Sequence, residues 1–239
     1  MAAPSPEAVA RHPHLAAPQP DGRLRVDLHT HTMWSGDSTT TPDEFAAASA
    51  ASGLDVVCIT DHNAIDGAQE LRDRLTCRVI VGEELRTSAG EIIGLFLAER
   101  VPMGVNHVEA AEQIRDQGGL VYIPHPFDPM RRNLAEPALY DLAERGLIDA
   151  VEVINAKTSL ESLNRRARLF AEEFDLAPGA GSDAHVPLAV GAAYVEMPDF
   201  HDATSFMASL LGANDHAPGR LRFVYYRRLA EHLATAEPW

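Results

Sequence analysis

The chain has 239 residues, 46% hydrophobic and 23% charged, enough for one enzyme-sized unit that buries about 70% of its unfolded surface without disulfides. Its two cysteines, Cys58 and Cys77, lack CxxC spacing, which excludes a zinc ribbon or disulfide scaffold and predicts core thiols in a reducing compartment. A formal net charge of -15 repels polyanions, so no stable duplex nucleic-acid binding is expected; without a membrane-length apolar run or a secretion signal, the expected setting is cytoplasmic with no membrane contact.

In chain order, residues 1–22 hold five prolines among alanines and predict a disordered N-terminal tail, whose His12 and His14 are left outside any site. Residues 23–239 are expected to form a single domain. Strands are predicted at Leu24–Leu28, Val56–Thr60, Arg78–Leu85, Glu91–Leu97, Leu120–Ile123, Ala150–Ile154, Ala177–Gly181 and Ala192–Met197. Helices are predicted at Pro42–Ala51, Ile65–Leu75, Val108–Gln117, Leu134–Glu144, Leu160–Phe174 and Asp202–Leu211. The first has Thr41 as cap, Pro42 at its first position and Gly53 as its stop. Residues 221–233 read as a helix, or as a strand and then a helix. This alternation predicts an α/β fold with crossover helices.

The polar residues gather at strand ends. His29 and His31 are two apart at the end of the first strand, so both imidazoles take one face and reach one cation. Asp61 and His62 follow the second strand, Glu83 and Glu84 lie late in the third, His125 follows the strand at Leu120, and Asp183 and His185 follow Gly181. In an α/β barrel the C-terminal strand ends converge on one mouth, and such a cluster without metal would leave buried charges unpaired. A metal site is therefore expected.

The segments VDLHTHTMWSGD, CITDH, VGEEL, PHPFD and GSDAH together resemble the PHP family, named for polymerase and histidinol phosphatase, over Arg25 to Glu196. The resemblance implies a distorted (β/α)7 barrel with two or three divalent ions at the mouth, manganese, iron or zinc. It implies that His29, His31 and Asp183 hold one ion, that Glu84 bridges to a second shared with His125, and that Asp37, His62 and His185 hold the third. The family pattern Gly-x-Glu selects Glu84 over Glu83. An additional family histidine is missing near VEVINAK, where the chain offers Glu152, Asn155 and Lys157.

Such ions suit phosphoryl chemistry. The expected enzyme is a metal-dependent phosphoesterase that hydrolyses a small phosphate ester or a nucleotide with metal-bound hydroxide. Arg131 is a candidate phosphate grip by its likeness to a PHPFDxxR pattern, or else the partner of Asp128; Asn155 and Lys157 are further substrate contacts. His185 is a candidate proton donor, and Asp61 a candidate base or orienter of an imidazole. Trp34 either stacks on a ring of the substrate or packs. Arg165 and Arg166 are expected on a solvated helix face, and His107, His201, His216 and His232 outside the site. The competing readings are an amidohydrolase-type metal hydrolase and a non-catalytic, metal-stabilised module.

Overall fold

The computed structural model describes residues 22–212 and 220–223. In chain order these form β1 (Leu24–Thr30), α1 (Pro42–Ser52), β2 (Val56–Ile59), α2 (Asp66–Leu71), β3 (Arg78–Thr87), β4 (Gly90–Leu95), α3 (His107–Asp116), β5 (Leu120–Ile123), α4 (Glu136–Glu144), β6 (Ala150–Asn155), α5 (Glu161–Glu173), β7 (Ala177–Gly181), β8 (Ala193–Met197), α6 (Ala203–Leu211) and β9 (Arg220–Phe223). The expected strands and helices are present up to Leu211, with small shifts at their ends. The largest difference is at α2, which stops at Leu71 rather than Leu75. The expected tail lies outside the described residues except for Gly22, as does the expected last element beyond Phe223. No helix among the described residues is long and apolar enough to cross a membrane.

Local chemistry explains α1 in full. Thr41 accepts the Glu44 backbone N–H, the Glu44 side chain accepts the Thr41 N–H, and Pro42 opens the helix. Gly53, at φ 63°, closes it in the left-handed region that glycine enters without strain.

The strands form one sheet in the order β7-β6-β5-β4-β3-β2-β1-β8-β9. β1 to β3 are mutually parallel, and so are β5 to β7, while β4 runs against both of its neighbours and β8 against β1. The sheet curls until its ends nearly meet: the Asp183 N–H donates to the His29 carbonyl (2.8 Å), and the His31 N–H to that of Ala184 (3.0 Å). Asp27 braces this seam from within, accepting the backbone N–H groups of Ser182 (2.9 Å), Gly191 (3.0 Å) and His29 (3.3 Å). The result is the expected distorted barrel, its distortion coming from the reversed β4 and from β8 lying along the lower half of β1.

Apolar residues fill both sides of the sheet. Val26, Leu28, Cys58, Ile80, Tyr122 and Ala180 share an interior cluster. Outside, α3, α4 and α5 pack Ile114, Leu139 and Phe170 into the cluster that holds Val121, Ile123 and Val153, while Phe45 of α1 and Leu71 of α2 cover Val57 and Ile59. Cys58 is buried as expected and Cys77 only partly so.

Candidate metal centre

Two irregularities at the barrel mouth aim its side chains. Between Asp27 and Thr30, β1 advances three residues while β2 advances two, a bulge that reverses the face taken by the residues beyond it. Leu28 therefore packs in the interior, and so does His29 directly after it. Between Glu152 and Ile154, β6 likewise advances two residues against one on β7, and Asn155 joins Glu152 inside the barrel.

His29 Nδ1 lies 3.1 Å from Glu152 Oε1, and His31 Nδ1 lies 2.7 Å from Ser35 Oγ. The Ser35 hydroxyl donates to Asp61 Oδ1 (3.1 Å), so toward His31 it acts as acceptor. Both histidines thus carry their proton on Nδ1 and turn Nε2 inward, where the two Nε2 atoms face each other at 3.0 Å. Glu84 Oε2 is 3.2 Å from each of them, and Asp183 Oδ1 is 3.4 Å from His31 Nε2. These are the edges of a coordination polyhedron: ligands about 2.1 Å from an ion lie roughly 3.0 to 3.4 Å apart.

The other ligand groups adjoin this one. Glu84 Oε1 is 3.0 Å from His125 Nε2, and Glu84, Glu91 and His125 bring ligand atoms within 4.8 Å of one another. His31, His62 and His185 form a further such group. Asp37, 54% exposed, places Oδ2 3.3 Å from His62 Nε2 and 3.4 Å from His185 Nε2. His62 Nδ1 and His125 Nδ1 are buried without a hydrogen bond, although His62 Nδ1 lies 3.2 Å from Glu84 Oε2.

The electrostatics match this donor set. Burial favours neutral His29 and His31, but Glu152, Glu84 and Asp183 lift His29, and Asp183 and Glu84 lift His31 to about 9. Burial would raise Glu84 and Asp183, yet the imidazoles hold both well below the usual carboxylate range. Acids and imidazoles are thus matched to one another around a common point. One proton can bridge two facing Nε2 atoms; a divalent cation satisfies all four converging donors at once, so the residues fit a metal centre. His125 (φ 28°) and Asp183 (φ 50°) also hold the left-handed backbone region, at a strain of about 1–3 kcal/mol each for non-glycine residues.

All eight expected ligands, His29, His31, Asp37, His62, Glu84, His125, Asp183 and His185, therefore meet at the mouth, beside a cavity of about 530 Å³. Arg131 and Lys157 line that cavity too. Arg131 is not paired with the Asp128 carboxylate, which accepts from Met130 N–H and Thr158 Oγ1; its Nε instead lies 3.8 Å from Asp183. Lys157 Nζ lies 3.3 Å from Asp183 Oδ1 and 3.1 Å from His185 Nδ1.

Three expectations need correction. Asn155 is fully buried and its amide is engaged on both sides: Nδ2 donates to Glu152 and Asp183, and Oδ1 accepts from the backbones of Lys157 and Thr158. It organises the loop and has no atom left for substrate. Asp61 turns away from the centre, accepting from Thr32 N–H and Oγ1 and from Ser35; of its two expected roles the geometry fits the orienter, acting on His31 through Ser35, and not the base. His185 has both ring nitrogens occupied, Nδ1 beside Lys157 Nζ (3.1 Å) and the Asp183 carbonyl (2.9 Å) and Nε2 toward Asp37 (3.4 Å), which suits a ligand rather than a proton donor; burial and His31 hold it low, at about 4.

Elsewhere, Trp34 packs over Gly67. Arg166 lies over the Phe127 ring (3.9 Å) and grips Glu136, away from the mouth. His107 pairs with Asp141, and His216 and His232 lie outside the described residues. Sequence reasoning passed over Glu91, Ser35 and the anchoring role of Glu152. Glu91 arrives from the start of β4, whose reversed direction brings its first residues, not its last, to the mouth.

Comparison with known proteins agrees with this geometry. The family described as PHP domain matches residues 27–121, and that described as PHP-associated matches residues 161–213. An uncharacterized protein of Methanocaldococcus jannaschii is 39% identical over 146 residues, 56% of this chain and 82% of that protein. A two-domain protein from Bacteroides vulgatus, containing a predicted PHP-like metal-dependent phosphoesterase, superposes with a TM-score of 0.67 at 19% identity, over 87% of this chain and 69% of that one. Endonuclease Q, in complex with a 27-mer duplex carrying an abasic lesion at the active site, superposes with a TM-score of 0.60 at 15% identity, over 78% of this chain and 56% of that one. That complex overturns the expectation of no duplex binding. Net charge averages over a whole surface, whereas a phosphate backbone is met by the charges of one mouth.

Proposed function

The chain belongs to the PHP domain family, and on that premise we propose that it hydrolyses a small phosphate ester or a nucleotide with the help of two or three divalent ions, manganese, iron or zinc. The observation that carries this reading is the inward-facing pair His29 Nε2 and His31 Nε2 with Glu84 and Asp183 closing on the same point.

In this reading His29, His31 and Asp183 would hold one ion, Glu84, His125 and Glu91 a second, and Asp37, His62 and His185 a third. Bound there, divalent ions supply Lewis acidity toward phosphate and activate water for attack near neutral pH. The protein's own part is to orient and to exclude. Glu152 and Ser35 fix the tautomers of His29 and His31, so that Nε2 stays free to ligate. Arg131 presents its guanidinium to the cavity, where it grips phosphate oxygens in a bidentate way. The Lys157 ammonium, beside Asp183 and His185, stabilises charge on the departing oxygen and is the proton carrier within reach of it.

The test is elemental analysis of the purified protein together with phosphate release from nucleotides, sugar phosphates and diesters. Bound transition metal and hydrolysis that disappears in His31→Ala are expected. A protein with metal and no hydrolysis of any phosphate ester would instead be a metal-stabilised module.

A further inference from the structure

Arg86 stands two residues beyond Glu84 on β3, so both side chains take one face of the strand. Register places it directly opposite Glu91 on β4, a position from which side chains normally touch. Its guanidinium nonetheless forms no ion pair among the described residues, and its Nε is buried without a hydrogen bond. Against 35 acidic residues and 20 lysines and arginines, half-buried Arg86 interacts electrostatically with the Glu91 carboxylate without closing an ion pair, so its Nε keeps an unused donor. The other two basic groups deep in the mouth stand near Asp183, Lys157 at 3.3 Å and Arg131 at 3.8 Å, although Arg131 Nε, like Arg86 Nε, makes no hydrogen bond.

The neighbouring segment extends the same wing. The Glu91 N–H donates to the Arg132 carbonyl (2.9 Å), and Glu91 bridges to Asn133. Arg86, Glu91 and Arg132 therefore stand side by side on three adjoining stretches of backbone, all lining the cavity. Lys157 and Asp183 border the same cavity. The mouth thus has one cationic group beside Asp183 and another across Glu91.

We propose that Arg86, flanked by Arg132, forms a second anion subsite that takes a non-reacting phosphate of the substrate while the scissile phosphate sits over the metal ligands. This deepens the phosphoesterase reading and rests on it for the scissile group. The substrate class is then a molecule with two phosphates, either a small bisphosphate or a stretch of nucleic-acid backbone.

Binding can be measured without turnover, by calorimetric titration of the metal-loaded protein with methylphosphonate and with propane-1,3-bisphosphonate. The bisphosphonate is expected to bind about tenfold more tightly, the value of one charge-assisted contact. Arg86→Met, which keeps the buried stem, should abolish that advantage and leave methylphosphonate affinity unchanged; Arg86→Lys, which keeps the charge, should restore part of it. Equal affinities in the unaltered protein, no binding of either ligand, or an advantage that survives Arg86→Met would overturn the subsite. A 5′-phosphorylated trinucleotide titrated in parallel identifies the source of the second phosphate by which ligand shows the larger Arg86-dependent gain. Bisphosphonate preference without hydrolysis of any ester would refute the catalytic reading alone; hydrolysis of an aryl phosphate without that preference would refute the subsite alone.

Discussion

At the residue scale, Glu152 does more for the centre than its place in the sequence suggests. One oxygen holds His29 Nδ1 (3.1 Å), while the other accepts the His125 N–H (2.7 Å) and the Asn155 amide (2.9 Å). Replacing such a carboxylate beside a ligating histidine typically weakens metal binding 10- to 100-fold. Glu152→Gln is therefore expected to lower affinity by roughly that factor, measured by competition with a chromophoric chelator. Lys157 offers a second check, since it is the only lysine in the chain. Reaction of its ammonium with an amine-specific reagent, followed by mass spectrometry, should slow when inorganic phosphate is added to the metal-loaded protein. An unchanged labelling rate would separate Lys157 from the substrate. Seven of the eight expected ligands were legible because they lie at or just past short apolar runs, whereas Asp37, in the turn after His31, was marked out only by the family resemblance. Ser35 was not legible, because nothing in a serine's sequence position announces that it accepts from one histidine side chain and from another's backbone N–H.

At the scale of elements, alternation and capping read the sheet and helices well but missed the bulges in β1 and β6. A strict two-residue period sends Leu28 and His29 to opposite faces, whereas the bulge brings both inside. No local composition marks that slip; it follows from Asp27 tying β1 to Ser182 and Gly191. Asp27→Ala would leave three buried backbone N–H groups without their acceptor, at a cost of at least about 3 kcal/mol, seen as a lower urea midpoint with unchanged slope. Thr41→Ala, which removes only the cap of α1, should cost about 1 kcal/mol and leave metal binding intact. The reversed β4 was equally hidden: Glu91 looked like a strand's beginning, and only an antiparallel pairing makes a beginning part of the mouth.

At the scale of the whole molecule, barrel architecture and the gathering of ligands at one end were both readable, since neither depends on side-chain detail. Net charge misled, because a total of -15 says nothing of Arg86, Arg131, Arg132 and Lys157 meeting around one cavity. Global stability should report the ions directly. Ligands present at about a thousand times their dissociation constant stabilise the native state by about 4 kcal/mol, so chelation of the loaded protein is expected to lower its melting temperature by on the order of 10 °C. An identical melting curve with and without chelator would mean that the cluster holds no ion.

The seam where the sheet meets itself runs between His29 to His31 and Asp183 to Ala184, and three of the expected ligands lie on its two lips. Cations held there would act as a clasp on the hoop of strands, joining two stretches of chain that are far apart along the polypeptide. Until both lips have been synthesised and brought side by side, the clasp has nothing to fasten. Ion capture would then belong to the closing event of folding, and amide exchange along β1 and β7 should slow more on loading than exchange in α3 or α4.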